Sequence, residues 1–131
     1  MSQLSGEQEH VDIAIVGSGP SGFYAAEALL RSDQNVAVTM IERLPTPFGL
    51  VRSGVAPDHP KLKQSILVYE RITRDENFNC LGNVSVGRDV SVSELQTTHH
   101  AIIFANGAQN DRHMGIQGEN LPGSHTATEF V

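Results

Sequence analysis

The stretch Gly17-Ser-Gly-Pro-Ser-Gly22 decides the fold class of this 131-residue chain. It stands between an apolar run, Val11 to Val16, and a stretch of helix-forming residues. A strand, a glycine-rich turn and a helix in this order are the context in which the spacing G-x-G-x-x-G binds a dinucleotide. Gly17 permits the tight turn, Gly19 lets a pyrophosphate approach the backbone, and Gly22 lets the helix pack closely on the strand. The helix N-terminus adds free N–H groups and a partial positive charge.

A second apolar run, Val36 to Ile41, ends in the acidic residue Glu42. A carboxylate at this place accepts hydrogen bonds from a ribose 2′-hydroxyl and disfavours a 2′-phosphate. The pattern therefore argues against NADP as the ligand of this turn. The alternative is a glycine-rich turn that serves packing alone, but the two strands, the helix and Glu42 together favour dinucleotide binding.

Length and composition indicate one globular domain. Apolar residues make up 39% and charged residues 18% of the chain, which is typical of a folded protein rather than a disordered one. No apolar run reaches the length of a membrane span, so no transmembrane segment is expected. Residues 1–10 are polar and acidic, and they predict a tail without the features of a targeting segment. Cys80 is the sole cysteine, which is consistent with a reducing compartment.

Charge is distributed unevenly along the chain. The net charge of −6 argues against nucleic acid as a partner. Between Arg43 and Arg74, however, there are six basic and two acidic residues, whereas the remaining chain holds three basic and thirteen acidic ones. This basic segment, residues 43–74, indicates attraction to an acidic partner, and the alternative is an ordinary solvated surface.

The rest of the chain has the pattern of alternating strands and helices. Residues 43–59 contain three prolines and two glycines, which predict a long irregular loop of the kind that binds a ligand. We expect strands over 11–16, 36–41, 83–86 and 101–104, helices over 23–31 and from Pro60 onward, a loop over 75–82, a capped turn at Ser91-x-x-Glu94, and a further turn over 126–131. Four short strands with such crossovers predict an α/β fold with a doubly wound, mainly parallel sheet.

The most specific stretch lies in the long loop and reads Leu44-Pro-Thr-Pro-Phe-Gly-Leu-Val-Arg-Ser-Gly-Val-Ala-Pro-Asp-His-Pro-Lys61. With the glycine turn, Gly82-Asn-Val-Ser-Val-Gly-Arg-Asp-Val90 and Gly118-Glu-Asn-Leu-Pro-Gly123, it resembles the adrenodoxin-reductase-type ferredoxin–NADP reductases of mitochondria and bacteria. The resemblance runs from about Val11 to Val131. Other flavoproteins with two dinucleotide sites share the glycine turn but lack the segment 44–61.

This resemblance implies a Rossmann-like FAD-binding domain of the two-dinucleotide-binding flavoprotein type, with FAD at the first glycine turn. It also implies NADPH as the hydride donor, bound by a second nucleotide domain, and a ferredoxin-type iron–sulfur protein as the acceptor of single electrons. A location in the bacterial cytoplasm or the mitochondrial matrix follows from the same resemblance.

The resemblance also implies roles for individual residues. It matches Ser21 to the pyrophosphate turn, Glu42 to the ribose, and Leu50 to a cofactor contact in the long loop. It matches the backbone of Val86 to the adenine, and His59 to a histidine close to the isoalloxazine ring, where its protonation would couple to flavin reduction. The candidate cofactor-binding residues are Gly17, Gly19, Pro20, Ser21, Gly22, Glu42, Arg43, Gly49, Leu50, Val86 and Gly107. The remaining histidines lack the company of further metal ligands, so no metal site is expected.

Two departures from the family pattern stand near the fourth predicted strand. The chain reads Ala105-Asn-Gly-Ala108 where a threonine commonly takes the place of the asparagine, and a small polar residue there predicts only a local change. His100 stands where an acidic residue is common.

The chain has no second glycine pattern after Gly22 that would hold NADPH. We therefore expect residues 11–131 to be the N-terminal part of a discontinuous FAD-binding domain, incomplete and inactive by itself. One alternative is a stand-alone module that holds FAD, NAD or ADP for sensing or scaffolding. A second is an NAD-dependent dehydrogenase, against which the Pro- and Gly-rich loop argues. A third is a chain that does not fold stably, because part of its sheet lacks a covering layer.

Overall fold

A four-stranded parallel sheet forms the centre of the fold in the computed structural model, which describes residues 9–56, 58–59, 61, 64–108 and 110–130. The strands are β1 (Val11–Val16), β2 (Val36–Ile41), β3 (Phe78–Leu81) and β4 (Ala101–Phe104). Their order across the sheet is β3-β2-β1-β4, and every neighbouring pair is parallel. The predicted α/β class and doubly wound parallel sheet are therefore confirmed.

The helices connect these strands on the way along the chain. Their bounds are α1 (Pro20–Leu30), α2 (Leu50–Ser53), α3 (Ser65–Ile72), α4 (Val92–Thr98) and α5 (Ala127–Phe130). From β1 the chain first builds β2 and β3 on one side, and later returns to place β4 on the other side of β1. In an open α/β sheet, such a reversal opens a crevice at the carboxyl ends of the two strands that flank it. The topology therefore places a binding crevice between the ends of β1 and β4.

An aromatic cluster holds α1, α3, β3 and the long loop together. The Phe23 ring of α1 is fully buried. Its centroid lies 4.6 Å from that of Tyr69, 5.3 Å from that of Phe48 and 6.0 Å from that of Phe78. Because these rings come from four separate segments, the cluster fixes the loop and α3 against the helix that follows the glycine turn.

An ion-pair network ties α1 to α3 at the surface. Glu27 accepts hydrogen bonds from the guanidinium groups of Arg31, at 2.8 Å, and Arg71, at 2.9 Å. Arg71 belongs to the basic segment 43–74, so one positive charge of this segment is already neutralised within the fold. A second member, Arg52, lies with its guanidinium carbon 4.8 Å from the centroid of the Phe48 ring and donates to the Pro47 carbonyl oxygen at 2.8 Å.

The predicted third strand, 83–86, is wrong. The strand lies at Phe78–Leu81, inside the segment that was expected to be a loop, and it pairs in parallel with β2 from Val38 to Ile41. Phe78 and Cys80 turn toward the core while their neighbours are exposed, which is the alternation of a strand with one buried face. Asn83 then adopts a φ of +59°, and only an isolated bridge joins Val86 to Val90. A positive φ does not occur within a regular strand, so the strand ends before Asn83.

Two other segments differ from the sequence-based expectation. The short helix α2 forms inside the predicted irregular loop, and α1 begins at Pro20, which suits the first position of a helix. Of the helix expected from Pro60 onward, Pro60, Leu62 and Lys63 lie outside the described residues, and α3 covers the later part.

The two ends of the chain are described in part. Residues 1–8 of the predicted tail and Val131 lie outside the described residues, and α5 occupies most of the predicted last turn. Among the helices within the described ranges, none combines the length and the apolar character needed to cross a membrane.

Candidate functional site

The glycine-rich turn between β1 and α1 has the steric requirements that its spacing predicts. Gly17 has a φ of +107°, and a Cβ there would lie 2.5 Å from the carbonyl oxygen of Ala105, just after β4. A Cβ on Gly22 would overlap the carbonyl oxygen of Gly17. Around Gly19, by contrast, no atom lies within 4 Å of the position that a Cβ would take. The space above Gly19 is therefore open, whereas Gly17 and Gly22 are needed by the fold itself.

The first turn of α1 faces this open space with unused donors. Gly19 is the N-cap, and no side chain caps the helix there. Pro20 has no N–H, and the N–H groups of Ser21 and Gly22 have no acceptor within the helix because they belong to its first turn. Such groups, together with the helix dipole, bind phosphate oxygens.

Glu42, directly after β2, is buried beside the turn and held by three donors. One carboxylate oxygen, Oε2, accepts hydrogen bonds from the Ser18 hydroxyl at 2.6 Å and the Ser18 N–H at 3.1 Å. The other oxygen, Oε1, accepts the Leu44 N–H at 2.9 Å. A carboxylate offers about four acceptor positions, so Oε1 keeps one for a ligand.

The environment of Glu42 keeps its carboxyl group ionised. Burial by itself raises the pKa of Glu42. The hydrogen bonds from the Ser18 hydroxyl, the Leu44 N–H and the Ser18 N–H, with the nearby charge of Arg43, outweigh burial and hold this pKa below its ordinary value. An ionised carboxylate accepts hydrogen bonds from hydroxyl groups and repels a phosphate.

A cleft of about 450 Å³ opens beside Glu42 at the carboxyl ends of the strands. Four of the candidate cofactor-binding residues line it, namely Gly17, Glu42, Arg43 and Val86. Sequence reasoning missed Val92, Phe104 and Asn106, which line the same cleft. The signal that could have found Phe104 and Asn106 is their place at the end of β4, which flanks the binding crevice together with β1.

The loop after Glu42 covers one side of the turn. The Phe48 N–H donates to the carbonyl oxygen of Ser18 at 3.1 Å and to its hydroxyl at 3.3 Å. Gly49 has a φ of +51°, and a Cβ there would lie 3.0 Å from the Cα of Gly19. Phe48 itself has a φ of +92°, which is strained for a bulky residue and is held by these bonds and by its buried ring. The loop is thus fastened to the backbone that would meet the pyrophosphate.

Eight candidate residues do not line this cleft: Gly19, Pro20, Ser21 and Gly22 belong to the glycine-rich turn and the start of α1, Gly49 lies against Gly19, and three others remain. Within the described part of the chain, the cleft beside Glu42 is lined without His59, Leu50 or Gly107. The side chain of His59 is 61% exposed, and its Nδ1 lies 3.0 Å from Oδ1 of the adjacent Asp58. Leu50 is 67% exposed, and Gly107, with a φ of +63°, directly follows Asn106 of the cleft lining. These three residues therefore do not contribute to the lining of the cleft beside Glu42.

The turn that carries Val86 is stabilised by Asp89. Its carboxylate accepts the Ser85 N–H at 2.8 Å and two hydrogen bonds from the Arg88 guanidinium, at 3.0 and 2.8 Å. The bonds from Arg88 and Ser85 lower the pKa of Asp89 to about 2, so it remains ionised throughout the neutral and mildly acidic range. This charged turn sets the backbone of Val86 at the edge of the cleft.

Other titratable side chains have local partners. Nδ1 of His100 accepts the Asp12 N–H at 3.0 Å, which gives a structural role to the histidine that departs from the family pattern. Burial, followed by the negative charge of Glu42, raises the pKa of the half-buried Cys80 thiol. Among the described residues, no three histidine, cysteine or acidic side chains come together as a metal site would require.

A larger cleft, of about 860 Å³, lies within residues 110–129 and shares no residue with the glycine turn. Its acidic groups are already engaged: Glu119 accepts the Met114 and Gly115 N–H groups at 2.8 Å, and Asp111 accepts the Thr128 N–H at 3.2 Å. We therefore assign the candidate site to the smaller cleft, which is lined by Gly17 of the glycine-rich turn and by Glu42 with its free acceptor position.

The known proteins that this chain resembles are described consistently as reductases or as nucleotide-binding domains. The family model of an NAD(P)-binding Rossmann-like domain matches residues 15–74. NADPH-ferredoxin reductase FprA of Mycobacterium leprae is 55% identical over 124 residues, which are 91% of this chain and 27% of that protein. The mitochondrial NADPH:adrenodoxin oxidoreductase of Arabidopsis thaliana is 47% identical over 127 residues, which are 97% of this chain and 26% of that protein.

Solved structures agree with this result. Mycobacterium tuberculosis FprA in complex with NADPH superimposes with a TM-score of 0.86 and 51% identity, over 93% of this chain and 28% of that one. Histamine dehydrogenase from Rhizobium sp. 4-9, at 18% identity and a TM-score of 0.65, shares the fold alone. The chain spans about a quarter of the length of the curated relatives it matches. Over more than nine-tenths of its length, the resemblance of this chain to the adrenodoxin-reductase-type ferredoxin–NADP reductases is confirmed.

Proposed function

We propose that residues 11–131 are the FAD-binding part of an NADPH-dependent ferredoxin reductase. The observation that carries the proposal is that Gly17 of the glycine-rich turn and Glu42, which keeps a free acceptor position, line one cleft, and that the backbone of Gly19 in the same turn is open. The likeness to FprA and to the adrenodoxin oxidoreductases supports it independently.

The site fits the adenosine and pyrophosphate portion of FAD. The Ser21 and Gly22 N–H groups would hold the pyrophosphate, which needs the Cβ-free space at Gly19. Oε1 of Glu42 would accept a ribose hydroxyl, and the backbone of Val86 would meet the adenine. Phe104, which is 57% exposed, would add apolar contact beside the base. Bound FAD would supply a redox group that accepts a hydride and releases single electrons.

The residues of this chain would bind and orient the cofactor. Glu42 selects an unphosphorylated ribose, because its ionised carboxylate repels a 2′-phosphate. The loop 43–50 covers the turn, and its strained Phe48 backbone keeps Gly49 against Gly19. Arg43, at the mouth of the cleft, adds positive charge for the phosphates.

The remaining parts of the proposal come from the relatives. NADPH would be bound by a second nucleotide domain, for which residues 11–131 provide no second glycine turn, and the chain alone would be inactive. The electron acceptor would be a ferredoxin-type iron–sulfur protein. We place the protein in the cytoplasm if bacterial or in the mitochondrial matrix if eukaryotic. His59 would act on the flavin from the loop rather than from the cleft beside Glu42.

The visible spectrum of the chain after incubation with excess FAD and gel filtration tests the proposal. We expect a retained and shifted flavin spectrum that excess ADP reduces only in part, with Glu42→Ala as the binding-deficient comparison. Complete loss of flavin from a folded chain would contradict it. Retention of ADP or NAD with no preference for FAD would favour the stand-alone nucleotide module instead.

A further inference from the structure

Ser18, the variable residue inside the first half of the glycine pattern, is fully buried at the centre of the candidate site. Its hydroxyl donates to Oε2 of Glu42 at 2.6 Å and accepts from the Phe48 N–H at 3.3 Å. Its own N–H also donates to Oε2, and its carbonyl oxygen also accepts from the Phe48 N–H. One small side chain thus connects the turn, the acidic residue and the loop.

We propose that Ser18 is a positioning residue that aims the Glu42 carboxylate at the ribose and fastens the loop 43–50 to the glycine turn. The proposal rests on the proposed function, since it concerns the same dinucleotide site. Ser18 would act through Glu42 and would itself leave the ligand untouched.

The division of donors between the two carboxylate oxygens carries the argument. The terminal torsion of a glutamate side chain has a broad, soft preference, so the carboxylate plane needs hydrogen bonds to hold it. Both donors of Ser18 go to Oε2, whereas Oε1 receives the Leu44 N–H. The two bonds from Ser18 turn Oε2 toward the glycine turn and leave Oε1 as the oxygen with an unfilled acceptor position.

A purely structural role for the hydroxyl makes a different prediction. If the Ser18 hydroxyl served only to fill and hydrogen-bond the buried interior of the turn, its removal would weaken FAD binding by the same factor with or without the Glu42 carboxylate. If it acts through Glu42, the two removals are not additive, because the second acts on an interaction that the first has already broken.

The pH dependence separates the two roles as well. The titratable or charged groups described as acting on Glu42 are Arg43 next to it and the Cys80 thiol on β3. The raised pKa of Cys80 keeps its thiol neutral on the acid side, where the carboxyl group of Glu42 titrates. The Ser18 hydroxyl lowers the pKa of Glu42. Its removal therefore makes FAD binding fall at a higher pH when the solution is acidified.

The test is the FAD dissociation constant of the 131-residue chain, measured by quenching of flavin fluorescence from pH 3.5 to 8. The variants are Ser18→Ala, Glu42→Gln and their double mutant. Ser32→Ala is the matched control, because its hydroxyl donates to the Leu29 carbonyl oxygen at 2.6 Å at the far end of α1. We expect about a tenfold loss for Ser18→Ala at pH 7, typical of a lost bond to a charged group, and less than about twofold for the control.

The double mutant should bind FAD no more weakly than Glu42→Gln does. On acidification, Ser18→Ala should lose FAD binding at a higher pH than the wild-type chain. Additive losses, or a Ser18→Ala constant within about twofold of wild type, would overturn the positioning role while the proposed function stood. If the wild-type chain binds no FAD at all, the proposed function fails and this proposal fails with it. Should Ser18→Ala not fold, Ser18→Cys, which fills the space with a weak donor, is measured in its place.

Discussion

At the residue scale, the chemistry of the candidate site depends on one hydroxyl and two backbone donors around one carboxylate. Glu42 is 8% exposed and would be costly to bury as a charge without partners. Ser18 and Leu44 supply three hydrogen bonds, and Arg43 adds a favourable charge. The ligand selection that we propose and the local stability therefore depend on the same ionised group.

Glu42 makes stability depend on pH in a defined direction. Its pKa is lowered in the folded chain, so its contribution is present above the ordinary value of 4.5 and is lost as pH falls through the folded value. We expect Glu42→Gln to lower the free energy of unfolding by about 1–3 kcal/mol at pH 7, with the difference shrinking below pH 4.5. Urea unfolding at pH 7, 5 and 3.5 measures this, with the exposed Glu76→Gln as control. A difference that stays constant over this range would contradict it.

At the scale of elements, the glycines of the strand–turn–helix unit differ in their steric surroundings. The backbone of Gly17 lies against Ala105 and Gly22 lies against Gly17, so both glycines serve the packing of α1 on the sheet. Gly19 is extended, with a φ of −77°, and faces open space. Packing therefore excludes a side chain at Gly17 and Gly22 but leaves room for one at Gly19.

Alanine substitutions should separate these roles. Gly22→Ala should lower the free energy of unfolding by about 1–3 kcal/mol or more, because its Cβ overlaps backbone that cannot move aside cheaply. Gly19→Ala should leave stability within about 0.5 kcal/mol of wild type, since it is a surface change without a clash, yet weaken FAD binding by obstructing the pyrophosphate. Thermal unfolding and flavin fluorescence measure the two effects. An unstable Gly19→Ala variant would show that the open space is needed by the fold.

At the scale of the whole molecule, the basic segment 43–74 is only partly available to a partner. Arg71 is paired with Glu27, and Arg52 lies over the Phe48 ring. Lys61 and Arg74 remain exposed, and Lys63 lies outside the described residues. The charge that could steer an acidic protein is therefore smaller than the sequence count indicates.

Charge reversal tests whether this segment attracts an acidic ferredoxin. Lys61→Glu with Arg74→Glu should slow association with immobilised ferredoxin several-fold at low salt, and the difference should fade as salt rises and screens the charges. Arg112→Glu, an exposed cation outside the segment, is the control. Equal rates for all three proteins at low salt would show that the segment is an ordinary solvated surface.

Local patterns in the sequence were sufficient for the fold class and for the position of the glycine-rich turn. Glycine spacing and apolar runs predict β1, the turn, α1 and β2, because each depends on residues adjacent in the chain. The third strand was misplaced at 83–86, because Phe78 to Leu81 becomes a strand by pairing with β2, which lies more than thirty residues earlier.

What the sequence by itself determined is the parallel α/β architecture and the dinucleotide turn, including Gly17, Gly22 and Glu42. What only the tertiary structure decided is how that turn is completed: Ser18 bonds to Glu42 across 24 residues and to Phe48 across 30. It also decided that Phe104 and Asn106 line the cleft and that His59 does not. The physical reason is that spacing encodes backbone geometry over one turn, whereas hydrogen bonds between distant segments exist only once the sheet has brought their ends together.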